Sequence, residues 1–109
     1  MFRKAEEGEF RTVLDKIRMK TLVYGDKTLM AEFRLEAGAE LPRHSHPHEQ
    51  TGYLVSGKMT LTIGDKSVQL RPGDSWAIHG NVEHSAVVLS DSVAVEVFSP
   101  VREEYLPET

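Results

Sequence analysis

The chain has 109 residues, a formal net charge of -4, a pI near 5.7 and no cysteine. One domain over residues 1–109 is expected, because a chain this short supports one core and not two. The acidic balance excludes partners that require a basic face, nucleic acid and anionic membrane among them. The missing cysteines exclude a disulfide framework, a thiolate zinc site and a thiol nucleophile.

Residues 1–15 mix Glu6, Glu7, Glu9 and Asp15 with Arg3, Lys4 and Arg11 and carry no 3.6-residue apolar stripe. A lead-in or irregular strand is expected there. The start lacks a signal-type apolar run, and no stretch approaches the roughly 18 apolar residues of a membrane helix, so a cytoplasmic protein is expected. From Ile17 the pattern becomes alternating: Ile17, Met19, Thr21 and Val23, a turn at Gly25-Asp26-Lys27, then Leu29, Ala31, Phe33 and Leu35. Gly38 closes that hairpin.

Tyr53, Leu54 and Val55 form a short expected strand ending at Ser56-Gly57, followed by Met59, Leu61 and Ile63, a turn at Gly64-Asp65, and Val68 and Leu70. Pro72-Gly73-Asp74 is a strong turn signal. Trp76 and Ile78 precede an irregular piece at His79-Gly80-Asn81. His84–Leu89 and Val93–Phe98 are expected as two strands separated by a turn at Ser90-Asp91-Ser92. Pro100 ends the pattern, and Tyr105 and Leu106 are the apolar anchors of a polar tail. Eight to ten short strands without a helix predict an all-β fold, an antiparallel jelly-roll barrel. Pairing of its exposed edges predicts a homodimer.

Between these elements lies Gly38–Gly57, GAELPRHSHPHEQTGYLVSG, with three of the five histidines. On extended backbone His44, His46 and Gln50 share one face, Glu49 faces away, and Pro47 is the residue that disturbs the count. A further donor must come from a distant segment, and His84, which opens an apolar strand, fits. Three imidazoles and one amide oxygen would leave a divalent transition ion its full charge. The set suits zinc, nickel, copper, iron or manganese without choosing among them. The plainer reading of such a cluster is a histidine-rich loop. His48 and His79 are expected outside the ligand set, and Arg43 either meets an anionic substrate or is solvated.

The spacing Gly38, His44-x-His46, Gln50, Gly57 resembles the first motif of the cupin superfamily, small β-barrels with a metal in the mouth. Gln50 stands where that family usually has glutamate. The second motif is matched more loosely by Pro72-Gly73-Asp74 and His84, with Asn81 at the position of the motif glycine and Val88 at that of the asparagine. The resemblance spans about residues 17 to 102 and implies His44, His46, Gln50 and His84 as ligands of one ion.

HxHPHEQxGYxxSG together with EVFSPVREEYL is similar, more narrowly, to the cupins of pectin degradation that act on unsaturated uronates. That resemblance implies a pocket lined by Glu96, Phe98 and Arg102, with Glu96 replacing an expected aspartate. Alternation independently places Glu96 and Phe98 on one face. The plainer alternative makes Phe98 core and Glu96 with Arg102 a rim ion pair. The implied function is an isomerase-type enzyme that converts a cyclic unsaturated uronate, or a related sugar acid, to its linear keto form. Other readings are an iron-dependent dioxygenase and a non-catalytic module that binds a sugar or small acid.

Overall fold

The computed structural model describes residues 1–107. Eight strands form one antiparallel system: β1 (Arg11–Leu14), β2 (Ile17–Tyr24), β3 (Leu29–Leu35), β4 (Glu40–His44), β5 (Glu49–Ile63), β6 (Lys66–Leu70), β7 (Ser75–Ile78) and β8 (His84–Ser99). A short 3-10 turn, Glu103–Tyr105, follows. The order is β1-β2-β3-β8-β5-β6, with β4 also on β8 and β7 also on β5. The architecture is the expected all-β barrel. No helix among the described residues is long and apolar enough to cross a membrane.

Two expected turns are instead the middles of long strands. Ser56-Gly57 lies inside the 15 residues of β5, and Ser90-Asp91-Ser92 inside the 16 of β8. The two segments face each other, where the β5–β8 register shifts repeatedly between Leu54 and Met59. Both strands change their other partner there. Gln50–Tyr53 of β5 pairs with β7, whereas Met59–Ile63 pairs with β6. On β8 the stretch from His84 to Val87 borders β4, and that from Ser92 to Phe98 borders β3. Turn-forming residues thus serve as a bulged corner at which strands pass between sheets.

Gly57 shows what the corner demands. Its φ is +96°, and a Cβ there would fall on Ser92 Oγ and the Asp91 carbonyl. Ser92 Oγ in turn accepts from Lys58 N at 3.0 Å and donates to Ser90 O at 2.7 Å. Gly57→Ala is therefore expected to destabilise by about 3 kcal/mol, strain and clash together. Gly64, φ +62° with open space around it, is expected to lose only about 1 kcal/mol on the same change. Urea unfolding of the two variants tests the ordering.

The inner faces supply the core: Ile17 and Met19 of β2, Leu29, Ala31, Phe33 and Leu35 of β3, Leu54, Met59 and Leu61 of β5, and Val88, Ala94 and Phe98 of β8 are all buried. A bulge between Thr21 and Val23 breaks the alternation expected at the end of β2. Tyr105 and Leu106 pack on the core as expected of anchors.

Candidate metal centre

Antiparallel pairing puts the last residue of β4 opposite the first of β8. His44 and His84 are cross-strand partners, with ring centroids 4.3 Å apart. His46 lies past the end of β4, so strand alternation does not place it; the loop to β5 does. Asn81 N donates to the His46 carbonyl at 2.7 Å and ties that loop down. The His46 ring ends 5.7 Å from that of His44 and 5.0 Å from that of His84. One nitrogen of each histidine falls within 4.8 Å of the others.

The proton positions follow from the backbone. His44 Nδ1 lies 2.8 Å from Pro42 O, His46 Nδ1 3.0 Å from His48 O, and His84 Nδ1 2.9 Å from Val82 O. A carbonyl only accepts, so each Nδ1 carries the hydrogen and each Nε2 keeps its lone pair. Fixing the far nitrogen in this way is how proteins orient histidine ligands. His46 Nε2 is buried without any protein partner. An orphaned acceptor of this kind costs on the order of 1–3 kcal/mol unless something fills the gap. Burial, the Arg102 charge and His84 hold His46 below the ordinary imidazole range. Burial, despite the bond to Val82, does the same for His84. Both rings are neutral near pH 7, the form that binds metal. The three histidines fit a divalent ion.

Gln50 is buried on β5 beside Ile78 of β7 and Phe98 of β8. Its amide nitrogen donates to Glu96, and its side chain neighbours the His46 ring. Glu96 keeps some accessible surface at the residue level, yet protein closes around its carboxyl. Burial pushes that carboxyl up to about 7, against the opposing pulls of Gln50, Trp76 and Arg102. In the metal-free protein the shift has a stability consequence. An acid with a raised folded value binds more protons folded than unfolded between about pH 4.5 and 7. Stability then falls as pH rises through that window, by about 3 kcal/mol in total. Glu96→Gln is therefore expected to raise the metal-free melting temperature at pH 8 and to change it little at pH 4.5, as thermal scans at the two pH values would check.

Phe98 is 1% exposed and lies under His46, centroids 6.2 Å apart, so it belongs to the core and to the site at once. The Arg102 guanidinium stacks between Phe98 at 5.2 Å and Tyr105 at 4.4 Å, and its Nε donates to Glu104 at 2.9 Å. Each of Glu96 and Arg102 thus has its own partner. His44, Gln50, Glu96, Phe98 and Arg102 border one cavity of about 670 Å³, within the range of small-molecule sites.

The remaining polar residues of the stretch lie elsewhere. Glu49 faces out, 3.3 Å from His79 Nδ1, and both are exposed. Arg43 is solvated, 3.5 Å from Glu83. His48 is half-buried with its Nδ1 sealed and unpartnered, and its carbonyl supports His46. Sequence reasoning passed over Gly52, which stands directly across from Glu96, and Trp76, which stands across from Gly52 on its other side. The available signal was a glycine two positions after Gln50, on the same face of the strand.

An antiparallel barrel with three histidines positioned to hold a metal ion, two of them bordering a ligand-sized cavity, defines a small β-barrel with a candidate metal centre. The Cupin domain model matches residues 31–100. The chain belongs to the cupin family. It is similar to a solved RmlC-like cupin from Shewanella frigidimarina, at 26% identity over 96% of this chain and 95% of that one, TM-score 0.92. It is also similar to KdgF from a Halomonas species, at 28% identity over 97% and 98% of the two chains, TM-score 0.92. The polyketide cyclase RemF from Streptomyces resistomycificus shares the fold, at 19% identity over 92% and 80%, TM-score 0.78.

Proposed function

We propose that the protein is a metal-dependent isomerase that opens a cyclic unsaturated uronate to its linear keto acid. The observation that carries this reading is the Glu96 carboxyl, raised to about 7, in one cavity with His44, His84 and the Arg102 guanidinium. A group titrating near neutrality can both take and return a proton, which suits a proton shuttle. The similarity to KdgF over nearly the full length of both chains supports it further, as does the sequence resemblance to cupins of pectin degradation.

A divalent ion bound by His44, His46, His84 and the Gln50 oxygen would act there as a Lewis acid on the sugar oxygens. Zinc, nickel, manganese and iron all suit that donor set. The chain's own residues do the rest. Arg102, held over the rings of Phe98 and Tyr105, pairs with the substrate carboxylate in place of Glu104. Phe98 shapes the wall against the ring. Glu96 removes the anomeric hydroxyl proton as the bond from C1 to the ring oxygen breaks, giving an aldehyde at C1 and an enolate at C5. Glu96 then returns the proton to C4 as the enolate becomes the ketone, so the product is an isomer of the substrate.

The outward apolar side chains Tyr53 and Val55 of β5 and Val87 and Leu89 of β8 support a homodimer. The catalytic reading is tested by following the ultraviolet absorbance of the conjugated alkene in a panel of unsaturated uronates with metal-loaded protein. Enzyme-dependent loss of absorbance is expected. Unchanged absorbance with stoichiometric ligand binding would make the protein a binding module, and oxygen uptake confined to the iron form would make it a dioxygenase.

A further inference from the structure

We propose that Trp76 and Gly52 form a positioning device for Glu96, in which the indole lies across the bare backbone of Gly52 and aims its N–H at the carboxylate. The inference rests on the reading of Glu96 as the proton shuttle and adds the two residues that hold it in place.

Strand register is the first support. Across β7, β5, β8 and β3 the residues Trp76, Gly52, Glu96 and Ala31 stand in one row, each opposite the next. The neighbouring row is Ile78, Gln50, Phe98 and Leu29, all buried. Members of a cross-strand row share a face, so both rows look into the barrel. In the second row every position carries a side chain of full size. In the first row Glu96 is flanked by a glycine and an alanine, which leaves a slot around its carboxyl.

The second support is how that slot is covered. A Cβ built on Gly52 would coincide with Cε2, Cζ2 and Nε1 of Trp76. The nitrogen-bearing edge of the indole therefore rests directly on the strand, at a spot only glycine leaves free. Trp76 comes from β7, reaches over β5, and its N–H favours the charged form of Glu96 on β8. An indole N–H only donates. Gln50 donates to the same carboxylate from the adjacent row. In the proposed device the indole N–H and the Gln50 amide, approaching from adjacent rows, together set the direction of the Glu96 lone pairs. Gln50 has a second task at the histidines, whereas Trp76 has none.

The chain contains a single tryptophan, so its indole gives one amide-type cross-peak in a nitrogen–proton NMR spectrum. In zinc-loaded protein, which is diamagnetic, that peak is expected downfield and should move upfield in Glu96→Ala. It should also move in Gly52→Ala, with one bound ion per chain retained as the check on folding. In the uronate assay, Trp76→Phe is expected to lower kcat about 10- to 100-fold, the effect of one hydrogen bond to a charged group, with KM within about twofold. Gly52→Ala combined with Trp76→Phe should be no worse than Trp76→Phe alone, because both act through one contact. An indole peak indifferent to Glu96→Ala overturns the device, whether or not the protein turns over uronates. Unchanged kcat in Trp76→Phe, with an active wild type, overturns its positioning role and leaves the isomerase reading standing. If wild type shows no turnover, that reading fails alone and the NMR result still decides the contact.

Discussion

Glu96→Gln is expected to lower kcat by about 1,000-fold, in the middle of the range for a positioned acid–base group, with KM nearly unchanged. Glutamine is close to isosteric, so the slot between Gly52 and Ala31 stays filled and Gln50 and Trp76 keep a neighbour of the same shape. What is lost is the ability to accept and return a proton. The stability change runs the other way: at pH 8 the variant should be more stable in its metal-free form and nearly inactive when loaded with metal. That combination is the signature of a group kept at an energetic disadvantage for function. Steady-state kinetics on the ultraviolet assay measures it, and equal rates in wild type and variant would remove Glu96 from the mechanism.

The second large effect concerns the ion. His84→Ala and His46→Ala should each weaken divalent-metal binding by at least about 100-fold, since loss of a mere supporting contact already costs 10- to 100-fold. His48→Ala should bind nearly as wild type. His48 touches the site only through its carbonyl, which any residue supplies. Calorimetric titration with nickel separates the three variants, and a loss at His48 equal to that at His84 would contradict the assignment. Protonation competes with metal, and burial holds His46 and His84 below the usual value. Acid release of the ion is therefore expected below the pH of about 6.5 at which an ordinary histidine would let go.

Much of the site was legible because its parts are close in sequence and constrained by backbone period. The spacing from Gly38 to Gly57 drew attention to His44 and His46, and alternation on β5 separated buried Gln50 from exposed Glu49. The same period put Glu96 and Phe98 on one face. His46 was reached by an argument that does not hold in the molecule, because β4 ends at His44 and a loop carries His46 to its place.

The illegible parts share a physical cause. Ser56-Gly57 and Ser90-Asp91-Ser92 have turn chemistry, and sequence alone cannot tell a chain that reverses from one that bends at a sheet corner. The difference lies in the partner strand, here the approach of Gly57 to Ser92. The row from Trp76 to Ala31 draws on four strands and appears only once their registers are known. Its one trace in the sequence is a glycine inside a strand, and a bulge or a bend at a barrel corner leaves the same trace.

The most direct test of the central claim is the identity of the product. Proton NMR of a 4,5-unsaturated galacturonate with metal-loaded protein should show loss of the vinyl proton and growth of a C4 methylene, in an isomer of unchanged mass and without oxygen uptake. In heavy water one deuterium should appear at that carbon, because the anomeric hydroxyl that supplies the proton has itself exchanged with solvent. A vinyl signal that persists while the sugar acid binds would contradict the account.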